Sequence, residues 1–75
     1  MKVILKDDGR VIEGTPGEII RVMRHTSFAR YSTDAEFMSS VSFRAPPRGR
    51  GLVRTRNCLE FLTDLAEVGE LWVVP

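Results

Sequence analysis

Catalysis needs reactive side chains brought together, and among the strongest kinds this 75-residue chain has one histidine, His25, and one cysteine, Cys58. A thiolate nucleophile needs a neighbouring cation or base, and a structural zinc site needs several thiolate or imidazole ligands. His25 lies near the C-terminal end of a helical pattern, where partial positive charge suits the helix dipole. Cys58 lies on an apolar helical stripe, where a free cysteine serves as a small core residue, although Arg54 and Arg56 precede it. The acidic pairs, Asp7 with Asp8 and Asp34 with Glu36, sit at a turn and a helix start, which accounts for them as turn and cap chemistry. The "RGRG" stretch lacks the Lys-Ser/Thr ending of a phosphate-binding loop and follows no strand. The reading is of no enzyme: no catalytic residue, no metal site, no cofactor and no small-molecule substrate.

What remains is the stretch "FRAPPRGRGLVRTRN", residues 43–57, with five arginines and no acidic residue. Planar guanidiniums on a Pro/Gly-rich backbone can grip phosphates bidentately and stack on bases, with Phe43 or Tyr31 as added stacking surfaces. Arg44, Arg48, Arg50, Arg54 and Arg56 are therefore candidate nucleic-acid contacts. They place +5 on residues 44–56, whereas Glu60, Asp64, Glu67 and Glu70 place −4 on residues 57–75. The simpler alternative is a mobile, solvated loop over about 45–56, or one that folds against this acidic stretch. A net charge of +1 argues against a protein that is basic throughout.

The elements that position these residues follow from caps and periodicity. Residues 2–14 read as a β-hairpin, with Asp8-Gly9 as a two-residue type I′ turn pairing Lys6 with Val11 and Leu5 with Ile12. That register gives an apolar face of Val3, Leu5 and Ile12, and a mixed face containing Ile4 and Val11. "TPGE" at 15–18 is a capping box with proline at the first helical position, predicting a helix to about Phe28. Thr33 with Glu36 opens a second, short helix ended by Pro46-Pro47. Asn57 caps a third, whose Cys58, Phe61, Leu62, Leu65 and Val68 form one stripe, with Gly69 as its C′ residue. "LWVV" at 71–74 is a strand that belongs beside the hairpin, because two strands alone are marginal.

The fold class is thus α+β: an N-terminal β-hairpin, three short helices and a C-terminal strand completing a small antiparallel sheet, in the order β-β-α-α-α-β. Residues 1–75 form a single domain, burying only roughly 60% of the unfolded chain's surface. One cysteine excludes an intramolecular disulfide. The apolar run at residues 1–6 is too short for a signal peptide, and no stretch is long enough to span a bilayer. A cytoplasmic protein that avoids the membrane is expected.

Both sides of the last strand are apolar, Leu71 with Val73 and Trp72 with Val74, so the pattern leaves open which is buried. If Trp72 lies opposite the helices with Ile4 and Val11, the three form an apolar patch of the kind that marks a dimer or partner interface.

The hairpin followed by "VIEGTPGEIIRVM" and "SFARYSTDAEFMSSV" resembles small uncharacterised bacterial and phage-associated proteins. These begin with a hairpin, an "EGTP-E-I" helix start and later an "F/Y-M--V" helix. The resemblance covers mainly residues 1–41, with a looser "FL--L---G-L" match at Phe61 to Leu71. It implies a cytoplasmic protein from a prophage-like or accessory genome setting, and brings no catalytic residues. Its motifs are structural, and "APPRGRGLVRTR" departs from them. The leading functional reading is a binding or adaptor protein acting through protein association, as a homodimer or with another protein, through Ile4, Val11 and Trp72. The alternative is nucleic-acid binding through the five arginines.

Overall fold

The computed structural model describes residues 1–27, 30–44 and 53–75. The expected element order is observed: β1 (Lys2–Leu5), β2 (Val11–Glu13), α1 (Pro16–His25), α2 (Asp34–Arg44), α3 (Cys58–Glu67) and β3 (Leu71–Val74). The sheet is antiparallel in the order β2-β1-β3, so the first strand is central and the last closes its far side.

The hairpin register differs from expectation. Ile4 pairs with Val11, Val3 with Ile12 and Lys2 with Glu13, leaving residues 6–9 as a four-residue loop. A type I′ turn would require positive φ at both Asp8 and Gly9. Asp8 does not take positive φ, and within the loop Gly9 alone does, at +73°. The Gly9 N–H donates to Leu5 O at 3.0 Å and the Leu5 N–H to Arg10 O at 2.9 Å. The Arg10 N–H donates to an Asp8 carboxylate oxygen at 2.9 Å. The longer loop thus confines the left-handed conformation to glycine. Because the slip is two residues, every side chain keeps its expected face.

The helix boundaries follow local chemistry. Thr15 and Glu18 form the full capping box at α1, with Pro16 in the first turn. This helix ends at His25, earlier than the expected Phe28, which lies outside the described residues. The Thr26 hydroxyl donates to Val22 O at 3.0 Å, competing for the carbonyls of the last turn. At α2 the Thr33 hydroxyl accepts from the Glu36 N–H, but Glu36 accepts from Ser32, one residue outside a true box. Asn57 caps α3 by accepting from the Glu60 N–H at 2.9 Å. Its far end is a Schellman closure: Glu70 N–H donates to Leu65 O, Gly69 N–H to Ala66 O, and Gly69 has φ +85°.

All three helices contribute to a single core. Val3 and Ile12 from the sheet meet Ile19 and Ile20 of α1, Phe37 and Met38 of α2, and Phe61, Leu62 and Leu65 of α3. Leu71 joins from β3, which settles the orientation of the last strand: Leu71 is buried and Trp72 turned away. Within the core, Phe37 stands edge-on to Phe61 at 6.4 Å, and Tyr31 edge-on to Phe37 at 5.6 Å. Arg24 ties α1 to the start of α2, donating to Asp34 at 2.7 Å and to Tyr31 O at 2.9 Å.

Replacing Thr15 with Ala removes the hydroxyl half of the α1 cap and is expected to cost about 1 kcal/mol, lowering Tm by about 4–8 °C in a domain this small. Thr15→Ser, which keeps the capping hydroxyl, should retain most of the stability. Thermal unfolding followed by circular dichroism checks this, and an unchanged Tm in the alanine variant would show that the cap contributes nothing to stability.

Candidate interaction face

The helices cover one side of the sheet, the side of Val3, Ile12 and Leu71. On the opposite side the pairing aligns Val11, Ile4 and Trp72 directly across all three strands. The three residues singled out from sequence are therefore consecutive members of one cross-strand row. Val11 and Trp72 are each 52% exposed, and Ile4, between them, is half-buried. The next row, Glu13, Lys2 and Val74, places two opposite charges side by side along one end of the apolar row. Lys6, which the four-residue loop releases from pairing with β2, holds its ammonium 5.2 Å from the Trp72 ring centre. The row is thus apolar, flanked by charge, and built on the paired backbone of the sheet.

The arginines have a different arrangement. Arg54 meets Asp64 side-on: its Nε donates to one carboxylate oxygen at 2.9 Å and its Nη2 to the other at 3.1 Å. The Arg54 backbone N–H adds a third bond to the same carboxylate at 2.9 Å. Glu60 accepts from Arg54 at 3.1 Å and bidentately from Arg56 at 2.8 and 2.6 Å. Arg44 lies apart from this cluster, donating from the last turn of α2 to Ser40 O and the Tyr31 hydroxyl, each at 3.3 Å. Arg48 and Arg50, with the rest of residues 45–52, lie outside the described residues. Of the five candidate phosphate contacts, Arg54 and Arg56 are engaged with the acidic side of α3.

The same contacts hold the C-terminal end of the 45–56 segment. Val53 is buried in the core, and its carbonyl accepts from the Ser42 hydroxyl at 2.7 Å. Residues 53–56 are docked between α2 and α3. The decisive residue, Asp64, registered in the sequence only as part of a negative tail. Its position three residues after Phe61 and one before Leu65 was the available signal: a carboxylate on the edge of an apolar stripe needs a cation. Asp64 is the sole buried charged residue among those described.

His25 is exposed and Cys58 half-buried at the first turn of α3. Among the described residues no three of His, Cys, Asp and Glu converge as a metal site, and no helix is long and apolar enough to cross a membrane. Comparison with family models, curated proteins and solved structures returned no match to this chain.

Hydrogen bonds from the Arg54 side chain and backbone hold the Asp64 carboxyl below the usual carboxylate range, and the Arg56 guanidinium does the same for Glu60. A carboxyl whose folded pKa is depressed stabilises the fold above its unfolded pKa of about 4, and this contribution is lost as pH falls through the folded pKa. Asp64→Asn is accordingly expected to cost about 1–3 kcal/mol at neutral pH and to flatten the decline of Tm below about pH 4. Tm measured from pH 7 to pH 2 checks both, and equal slopes in wild type and variant would rule out the linkage.

Proposed function

We propose that this protein is a non-enzymatic binding or adaptor protein that works by protein association through its sheet. The observation that supports this reading is the Val11–Ile4–Trp72 row: three large apolar side chains contiguous on the side opposite the helices. Water contact with such a row is unfavourable at roughly 25 cal/mol per Å² of apolar surface, and covering it with a second protein surface recovers that energy. A rigid sheet presents the row without ordering cost, which favours association. Lys6 beside Trp72 and the Lys2 and Glu13 pair supply a polar margin suited to orienting a partner. The cytoplasmic, accessory-genome setting implied by the resemblance belongs to the same proposal.

Nucleic-acid binding makes a distinguishable prediction. Five arginines on phosphates would give a log-log salt slope of about −4.5; Arg54 and Arg56 are engaged by carboxylates, and without those two contacts the slope would be about −2.7. Light-scattering mass at 50 and 200 mM salt, with and without mixed DNA and RNA oligonucleotides, separates the readings. The expected result is association that is insensitive to salt, unaffected by oligonucleotides, weakened at least tenfold by Trp72→Ala, and unchanged when Arg44, Arg48 and Arg50 become Gln. Oligonucleotide-dependent mass at low salt that disappears at high salt and in the triple Gln variant would overturn it.

A further inference from the structure

The sheet has two free edges among the described residues, and they differ. Hydrogen bonding from Lys6 N–H to Glu70 O marks Lys6 and Glu70 as a bonded antiparallel pair. By alternation, Ile4 with Trp72 and Lys2 with Val74 are bonded pairs too. The N–H and C=O groups of Leu71 and Val73 therefore point away from β1, along the outer edge of β3. On the other edge, β2 carries Glu13 and is preceded by Arg10, charges of the kind that discourage strand addition. From Leu71 to Pro75 no side chain is charged.

We infer that the β3 edge pairs antiparallel with the β3 edge of a second copy of this chain, Leu71 opposite Val73 of the other copy, about a two-fold axis at Trp72. The inference rests on the reading of sheet-mediated association and specifies its partner and register. Three self-pairings place the outward groups of β3 against one another, and two fail on residue chemistry. Centring on Val73 sets the Leu71 carbonyl against Pro75, which has no N–H to donate. Centring on Leu71 sets Val73 against Gly69, whose φ of +85° is incompatible with a strand. Centring on Trp72 pairs Leu71 with Val73 twice and satisfies both groups of both residues, four hydrogen bonds in all. It also places no charge opposite a like charge.

In this register the two Trp72 residues form a non-hydrogen-bonded pair, the closer type, where aromatic side chains contribute most. The sheet becomes six strands, and the apolar row runs unbroken through Val11, Ile4 and Trp72 of both copies. On the helix side, Val73 is 42% exposed and Leu59 of α3 is 55% exposed beside it, so the second strand covers apolar surface there as well. The partner is chosen by complementarity of the edge to itself.

The test measures association of the full chain by sedimentation equilibrium. The Val73 N–H faces outward, so Val73→Pro removes two intermolecular bonds and no bond to β1, and it should weaken dimerisation roughly 10- to 100-fold. Val11→Glu removes one member of the apolar row and no edge hydrogen bond, so it should weaken dimerisation less than Val73→Pro. As a measurement that does not depend on the proline variant folding, Trp72→Cys in a Cys58→Ser background should cross-link on air oxidation, because non-hydrogen-bonded partners lie about 4.5 Å apart at Cα, within disulfide range. Val74→Cys in the same background should not, since position 74 faces position 70. A dimer lost with Val11→Glu but retained with Val73→Pro would overturn edge pairing while leaving sheet-face association standing. Equal cross-linking at 72 and 74 would overturn the register. A wild-type protein monomeric at all concentrations would overturn the inference outright, whereas oligonucleotide-dependent mass is what overturns the reading beneath it.

Discussion

Three short helices can cover one face of a three-stranded sheet and no more. The rest of the molecule is arranged around that limit. Val3 on the central strand is fully buried within the core, with α1 packed against β2 and α3 against β3 on either side, and Ile12 and Leu71 are carried into the same core on the strands paired to β1. Alternation along each strand then obliges Ile4, Val11 and Trp72 to face the other way. In a larger domain a second helical layer would cover them. Their alignment across the three strands gathers the apolar content of this face into one row.

A second constraint acts through Asp64. A carboxylate lying against the core has to be neutralised, and the chain does so with the guanidinium and backbone N–H of Arg54. This contact draws residues 53–56 onto α3, where Val53 enters the core and Arg56 reaches Glu60. The negative tail and the positive middle of the chain thus cancel one another in part, within the fold. Charge that looked available to an external polyanion is committed internally at Arg54 and Arg56.

Features that depend on neighbours in sequence were legible before any coordinates. The Thr15–Glu18 box, the Asn57 cap, the Gly69 closure and the Phe61–Leu62–Leu65 stripe are each set within one or two helical turns, so residue types suffice to read them. The period of two along β1 and β2 likewise assigned the faces of Val3, Ile4, Val11 and Ile12 correctly even though the register was off by two, because an even slip preserves side-chain direction. The turn was misread because Asp-Gly suits both a two-residue and a four-residue loop. The choice between them rests on keeping Asp8 out of the left-handed region, which the dipeptide alone does not encode.

What residue order determined by itself is the set of elements, their caps and the candidate face. What only the tertiary structure decided is which side of "LWVV" is buried, where Arg54 and Arg56 go, and which strands form the edges of the sheet. Both faces of the last strand are apolar, so its orientation is set by the helices it meets and by pairing to β1 rather than by its own pattern. The partnership of Arg54 with Asp64 spans two segments whose distance in space follows from packing alone. Long-range contacts of this kind carry no local signature, and in this protein they determine where charge is spent and where apolar surface remains.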